Sequence, residues 1–129
     1  VQSTLDAVAD ELLTEDGLVH RAKGPGVPPE GRGAFLFCSF WLVDALVLAG
    51  RVDEARDLFT TILGHIDSPC LLSERVDPAT GEYLGNYPQA FSHIGLINSA
   101  IYLGSVDDDG HLPQDLFPTD RGLYPLFRT

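Results

Sequence analysis

The chain has 129 residues, enough for one modest domain with a core of its own, and 44% of them are hydrophobic, which separates it from disordered sequences. A formal charge of -11 and a pI near 4.4 exclude nucleic acid and anionic membrane surfaces, which call for a basic patch, and leave neutral ligands open. No leader is visible, which points to a cytoplasmic chain, but a sequence that starts at Val1 and holds no methionine reads as a piece of a longer polypeptide.

Leu5, Val8, Ala9, Leu12 and Leu13 recur at the spacing of one apolar helical face, so a first helix is expected over residues 3–14, with Ser3 and Asp6 as a capping box. Gly17 ends it, and Leu18-Val19-His20-Arg21 reads as extended. The Pro- and Gly-rich run 24–31 excludes helix. From Gly33 to Ala49 nearly every residue is apolar. Its length favours a helix over a strand, and a helix apolar all round is expected to be an inner one, covered on every side. Gly50 suits the left-handed position that closes it. Val52, Ala55, Leu58, Phe59, Ile62 and Leu63 then mark the dry face of an outer helix, while Asp53, Glu54, Arg56 and Asp57 mark the wet one. The two form an antiparallel hairpin.

Residues 71–93 form the most chemically dense stretch, with Glu74, Asp77, Glu82, Tyr83, Asn86, Tyr87, Gln89 and His93. A connection of this length between helices is functional or disordered, and its aromatics and its Pro-Ala-Thr-Gly turn argue for function. Pro88 suits the first turn of the next helix. Phe91, Ile94, Leu96, Ile97, Ala100, Ile101 and Leu103 predict that this helix is mostly buried and runs to Gly104. The remainder, 105–129, is expected to be an irregular tail packing on residues 1–104 through Leu116, Phe117, Leu123, Tyr124, Leu126 and Phe127. Asp107-Asp108-Asp109-Gly110 lacks the further ligands of a calcium loop and reads as a solvated turn.

No strand pattern is persuasive, so the fold class is all-α, and buried helices alternating with amphipathic ones suit a solenoid or a toroid of hairpins. Residues 44–59 resemble a tetratricopeptide hairpin, but nothing similar recurs about 34 residues later. Cys38 and Cys70 read as free thiols. His20, His65 and His111 are scattered, no metal-ligand spacing is present, and no cofactor is implied. Within the loop, Asp77 before Pro78 is a turn former, Glu82 is solvated or orients the loop, and Glu74 beside Arg75 is the carboxylate best placed to stay charged. Tyr83, Tyr87, Trp41 and Phe40 offer aromatic faces and Asn86, Gln89 and His93 hydrogen-bonding rims, the combination that binds sugars. Trp41 reads first as core, and His93 is open between a pocket role and a structural one.

Two segments, Gly33-Ala34-Phe35-Leu36-Phe37-Cys38-Ser39-Phe40-Trp41-Leu42-Val43-Asp44-Ala45-Leu46 and Leu71-Leu72-Ser73-Glu74 through Gly85-Asn86-Tyr87-Pro88-Gln89-Ala90-Phe91-Ser92-His93, resemble the C-terminal part of glycoside hydrolase family fifteen, which contains glucoamylases, α-glucosidases and trehalases. Gly17-Leu18-Val19-His20-Arg21 and Ala49-Gly50-Arg51-Val52-Asp53-Glu54-Ala55 add to the likeness, which covers about residues 4 to 103. The resemblance implies a partial α/α toroid, the C-terminal hairpins of a six-hairpin barrel, and an inverting hydrolase of α-linked glucosides, glucoamylase-like in the broad sense, with trehalase as the near alternative and a non-catalytic helical assembly module as the distant one. It makes Glu74 the general base, while Trp41, Tyr83, Asn86, Tyr87, Gln89 and His93 are the substrate contacts expected from their side-chain chemistry. The general acid would stand in an upstream Trp-Glu motif, absent here because Leu42 follows Trp41. Arg32 stands where the family pattern has an acidic residue, with Glu30 displaced by two. The implied partners are an α-glucoside or oligosaccharide, the remainder of the same polypeptide, and other copies of the chain through exposed apolar helices. Alone, the chain is expected to be inactive.

Overall fold

The computed structural model describes residues 2–28, 31–66, 71–113 and 116. Cys70, Glu30 and the tail residues Phe117, Leu123, Tyr124, Leu126 and Phe127 lie outside them, as does most of the expected 105–129 unit.

The first helix, α1, runs Gln2–Leu12 and buries Leu5. It starts before Ser3, so the expected capping box does not form. Asp6 instead pairs with Arg51 at 2.6 Å, tying α1 to the start of a later helix. Leu13 leaves the helix and bridges Val19, and His20 bridges Ala34, so residues 18–20 run extended beside the next element. That element, β1, is Ala34–Phe35, followed directly by α2, Leu36–Leu48. The helix expected from Gly33 therefore begins three residues later. Gly33 has φ +89° and Phe35 is extended at φ -90°, ψ 122°, which turns the chain through a strand before it coils.

Helix α3, Val52–Leu63, follows the turn at Gly50, whose φ of +78° fits the closing role expected of it. Ala55, Leu58 and Ile62 are buried against α2, while Asp53, Glu54, Arg56 and Asp57 are exposed. The last helix, α4, is Ala90–Ser105 and also packs on α2. Pro88 stands outside its first turn, following a cis peptide bond after Tyr87, and Gln89 caps the helix in an extended conformation.

Two features correct the all-α expectation. Between α3 and α4 lie β2, Arg75–Val76, and β3, Tyr83–Leu84, and the three strands form an antiparallel sheet in the order β1-β2-β3. Ala34 faces Val76 and Phe35 faces Arg75, while Arg75 faces Leu84 and Val76 faces Tyr83. Strands of two residues are too short to show the alternation by which strands are recognised.

The second correction concerns which faces are dry. Helix α2 is not covered on every side: Trp41 is 58% exposed and Leu48 is exposed too, so the core reading of Trp41 does not hold. On α4 the buried positions are Ser92, Gly95, Ser99 and Leu103, while Phe91 (67% exposed), Ile94, Ile97 and Ile101 line the open face. Small residues win the contact because they let the helix axes approach. A β-carbon at Gly95 would stand 3.0 Å from the Phe40 Cβ, and Ser99 Oγ lies 3.1 Å from the Phe40 carbonyl oxygen. The core itself gathers Leu18, Val19, Leu36, Phe40, Val43, Val47, Ala55, Ile62, Leu72 and Val76 around α2.

Within the α2–α4 contact, Asp44 Oδ1 lies 2.5 Å from Ser99 Oγ. The Phe40 carbonyl can only accept, so the single Ser99 proton serves it only if Asp44 brings a proton of its own. Burial pushes the Asp44 carboxyl up to about 6, opposed by the Ser99 bond.

Candidate active site

The dense loop is built rather than slack. Asp77 makes a turn, its Oδ1 accepting from Ala79 N–H at 2.8 Å and its carbonyl from Gly81 N–H at 2.8 Å, as expected of an Asp-Pro sequence. This turn pairs β2 with β3 and returns the chain so that Asn86 lies beside Glu74. Glu74 N–H donates to the Asn86 carbonyl at 2.9 Å, and Leu36 N–H donates to the Glu74 carbonyl at 3.2 Å. Glu74 is therefore fixed between the first residue of α2 and the arm leading to α4.

The carboxylate is oriented by the same arm. Glu74 Oε2 accepts from Asn86 N–H at 3.2 Å and lies over Gly85. Gly85 has φ +76°, and a β-carbon there would overlap Glu74 Oε2, so glycine is required for both conformation and space. Among the described residues Glu74 takes part in no ion pair, and its side chain is half-buried. Its neighbour Arg75 forms no ion pair with it, although the buried Arg75 Nε borders Gly85 as Glu74 Oε2 does. Arg75 is buried over the Phe35 ring at 5.6 Å, and its Nη1 donates to the Arg32 carbonyl. Arg32, at the position where the family pattern has an acidic side chain, is thus exposed and serves this contact through its backbone.

Of the residues expected at the site, Glu74 is hydrogen-bonded to Asn86 and His93 to Gln89, and the second pair reaches the loop through Leu72. Gln89 N–H donates to the Leu72 carbonyl at 2.8 Å. His93 Nδ1 lies 2.7 Å from the Gln89 carbonyl oxygen and His93 Nε2 accepts from Leu72 N–H at 3.2 Å. Both ring nitrogens are committed to backbone, so of the two roles open for His93 the geometry supports the structural one. Tyr83 and Tyr87 tilt against each other with ring centroids 5.6 Å apart, and Tyr83 Oη reaches the His65 carbonyl at 3.4 Å. Tyr87 is 52% exposed. Trp41 is not joined to this group by these contacts. Its ring lies edge-on to Phe37 at 5.0 Å, and Phe37 lies edge-on to Phe35 at 5.5 Å. Phe40, the other aromatic considered for stacking, is fully buried. Glu82 is exposed at the tip of the hairpin.

Sequence reasoning passed over three residues that shape the site: Gly85, Ser73 and Ser92. Ser92 Oγ donates to the Ser73 carbonyl at 2.7 Å, and Ser73 Oγ donates to the Arg75 carbonyl at 2.7 Å, both buried. Gly85 was open to detection as a glycine next to a polar residue in a hairpin arm. The serines carried no signal beyond their neighbours Glu74 and His93.

Two clefts open elsewhere on the surface. One of about 440 Å³ lies between the start of α3 and residues 106–111, and one of about 250 Å³ is lined by His20, Lys23, Arg32 and their neighbours. Glu74 lines neither. Among the described residues no three His, Cys, Asp or Glu side chains converge as metal ligands, and no helix is long and apolar enough to cross a membrane.

The half-buried Glu74 carboxylate is thus held by backbone hydrogen bonds on the loop between α3 and α4. The chain belongs to the glycosyl hydrolases family 15, whose sequence pattern matches residues 2–101. It is 41% identical over 113 residues to a trehalase of Mycolicibacterium smegmatis, covering 84% of this chain and 17% of that protein. It is 42% identical over 113 residues to a trehalase of Mycobacterium tuberculosis, covering 84% and 16%, and 35% identical over 97 residues to a trehalase of Thermoplasma acidophilum, covering 75% and 17%. The chain thus spans less than a fifth of these relatives. No solved structure matches it.

Proposed function

We propose that this segment supplies the water-activating half of an inverting glycoside hydrolase that cleaves α,α-trehalose. The observation that carries the reading is the Glu74 carboxylate, fixed by Asn86 N–H over Gly85. The relatives' names favour trehalose over the glucoamylase-like substrates that were the first expectation.

In this reading one Glu74 oxygen is held by the loop while the other takes a proton from water. The water oxygen bonds to the anomeric carbon as the glycosidic C–O bond breaks, and the departing oxygen takes a proton from a carboxylic acid on the opposite face of the sugar. Such pairs stand roughly 6.5–9.5 Å apart to admit the water. That acid belongs to another part of a longer polypeptide, together with most of the sugar-binding wall. The outward apolar residues of α4 and the exposed Trp41 support this arrangement, since a face of that kind is complete only when other helices of the toroid cover it. Asn86 adjoins Glu74, and Asn86, Tyr83, Tyr87 and Gln89, which lie on the arm leading to α4, would meet the sugar from this side. Trp41 would meet it only if the remaining helices bring the substrate along α2.

The test is Glu74→Gln in the longer polypeptide. Turnover of trehalose should fall on the order of 10²–10⁴-fold, while maltose should be a poor substrate for the unaltered enzyme. Proton NMR of the first products should show α- and β-glucose in equal amounts, because inversion changes only the attacked anomeric carbon. Unchanged turnover in the variant overturns the assignment of Glu74. Preferred hydrolysis of maltose overturns the choice of trehalose.

A further inference from the structure

We infer that His93 and Ser92, in the first turn of α4, act together as positioning residues that set the height and tilt of Glu74. The inference rests on the proposed role of Glu74 and adds to it the device that aims the base.

The backbone leading to Glu74 is gripped from α4 at successive peptide groups. Leu72 N–H donates to His93 Nε2 at 3.2 Å, the Leu72 carbonyl accepts from Gln89 N–H at 2.8 Å, and the Ser73 carbonyl accepts from Ser92 Oγ at 2.7 Å. Leu72, Ser73 and Ser92 are fully buried, so water cannot replace these partners at low cost. The imidazole is itself aimed. An amide N–H can only donate and a carbonyl can only accept, so the contacts to Leu72 N–H and to the Gln89 carbonyl at 2.7 Å fix the Nδ1–H tautomer. That leaves Nε2 as the acceptor at Leu72, two residues before the base.

On the far side, the bonds that hold Glu74 among the described residues come from the Asn86 arm and the first amide of α2. Removing the grip from α4 therefore leaves the carboxylate attached yet free to tilt. A displacement of about 1 Å at a reacting group can cost on the order of 10²-fold in rate. Substrate binding should be much less affected, because these side chains meet backbone and not sugar.

The experiment uses the longer polypeptide with three variants. His93→Leu removes both polar contacts, His93→Gln places an amide oxygen within reach of Leu72 N–H, and Ser92→Ala deletes one buried hydroxyl. His93→Leu should lower kcat on trehalose by about 10²-fold with KM within about twofold, and should shift the limb of the kcat/KM–pH profile that reports the base. His93→Gln should recover most of the loss, and Ser92→Ala should lower kcat about tenfold. Should His93→Leu not fold, Ser92→Ala and the Gln variant carry the same comparison. A folded His93→Leu or Ser92→Ala enzyme with unaltered kcat and pH profile overturns the inference, as does a loss confined to KM. Glu74→Gln run in parallel separates the two claims: if it keeps full turnover, the role of Glu74 itself fails, and if only the α4 variants are silent, the positioning role fails alone.

Discussion

A carboxylate that activates water has to be ionised, aimed and only partly stripped of solvent, and residue 74 meets the geometric part of that demand through its neighbour at 85. The loop turns at Gly85 with φ +76° and leaves no room there for a side chain. Gly85→Ala adds one carbon that must displace Glu74 Oε2 and adopt a backbone conformation costing roughly 1–2 kcal/mol for an L-residue. We expect kcat on trehalose in the longer polypeptide to fall at least as far as with His93→Leu, while Gly81→Ala, whose added carbon meets nothing within 4 Å, costs only backbone strain and leaves kcat per folded molecule unchanged. Equal kcat in the two glycine variants would exclude the crowding argument. Burial raises the Cys38 thiol, and Arg21 partly offsets the shift.

At the scale of elements, the α2–α4 contact carries a titration with a definite sign. The Asp44 carboxyl rises from 3.8 to about 6 on folding, so its contribution to stability is fully present below about pH 4 and is lost as pH climbs through 6. Asp44→Asn keeps a donor for Ser99 Oγ and removes the charge. Thermal denaturation of the 129-residue chain should show the variant melting higher than the parent at pH 8, by roughly 1 kcal/mol once the half-exposed position is discounted, and converging with it near pH 4. A constant difference across that range would show that Asp44 does not titrate there. The same contact explains what the sequence concealed. Helices α1, α2 and α3 were legible because apolar spacing and length announce them, and Glu74 was marked as a candidate because Ser73-Glu74 sits in a dense loop of family-like order. The dry face of α4 was not. Periodicity assigns the interior to large side chains, and here Gly95, Ser92 and Ser99 hold it because close approach to Phe40 outweighs bulk. Trp41 misled for the same reason, since an apolar run does not say which of its sides meets this chain. The sheet was hidden by strands of two residues, and the role of His93 by the fact that its partners are peptide groups.

At the scale of the whole molecule, the outward row Phe91, Ile94, Ile97 and Ile101, with Trp41, Leu48 and Tyr87 also exposed, leaves several large apolar side chains open among the described residues. In isolation the chain should associate through it. Sedimentation velocity should find dimers or larger species at micromolar concentration, and Ile94→Lys with Ile97→Glu should return the chain to a monomer. A monomeric parent would argue that α4 does not present this row in solution. Charge does not oppose such contact locally, because the row itself carries no ionisable group.

The short sheet has a further consequence for turnover. Its three strands stitch the entrance of α2 to both arms of the loop, while the start of α4 clasps the residues leading into it. A segment secured along both margins is poorly suited to swinging aside as a gate. On the proposed reading, entry of the sugar and escape of its products would then fall to walls contributed from elsewhere, and any slow opening step that limits throughput would belong to them.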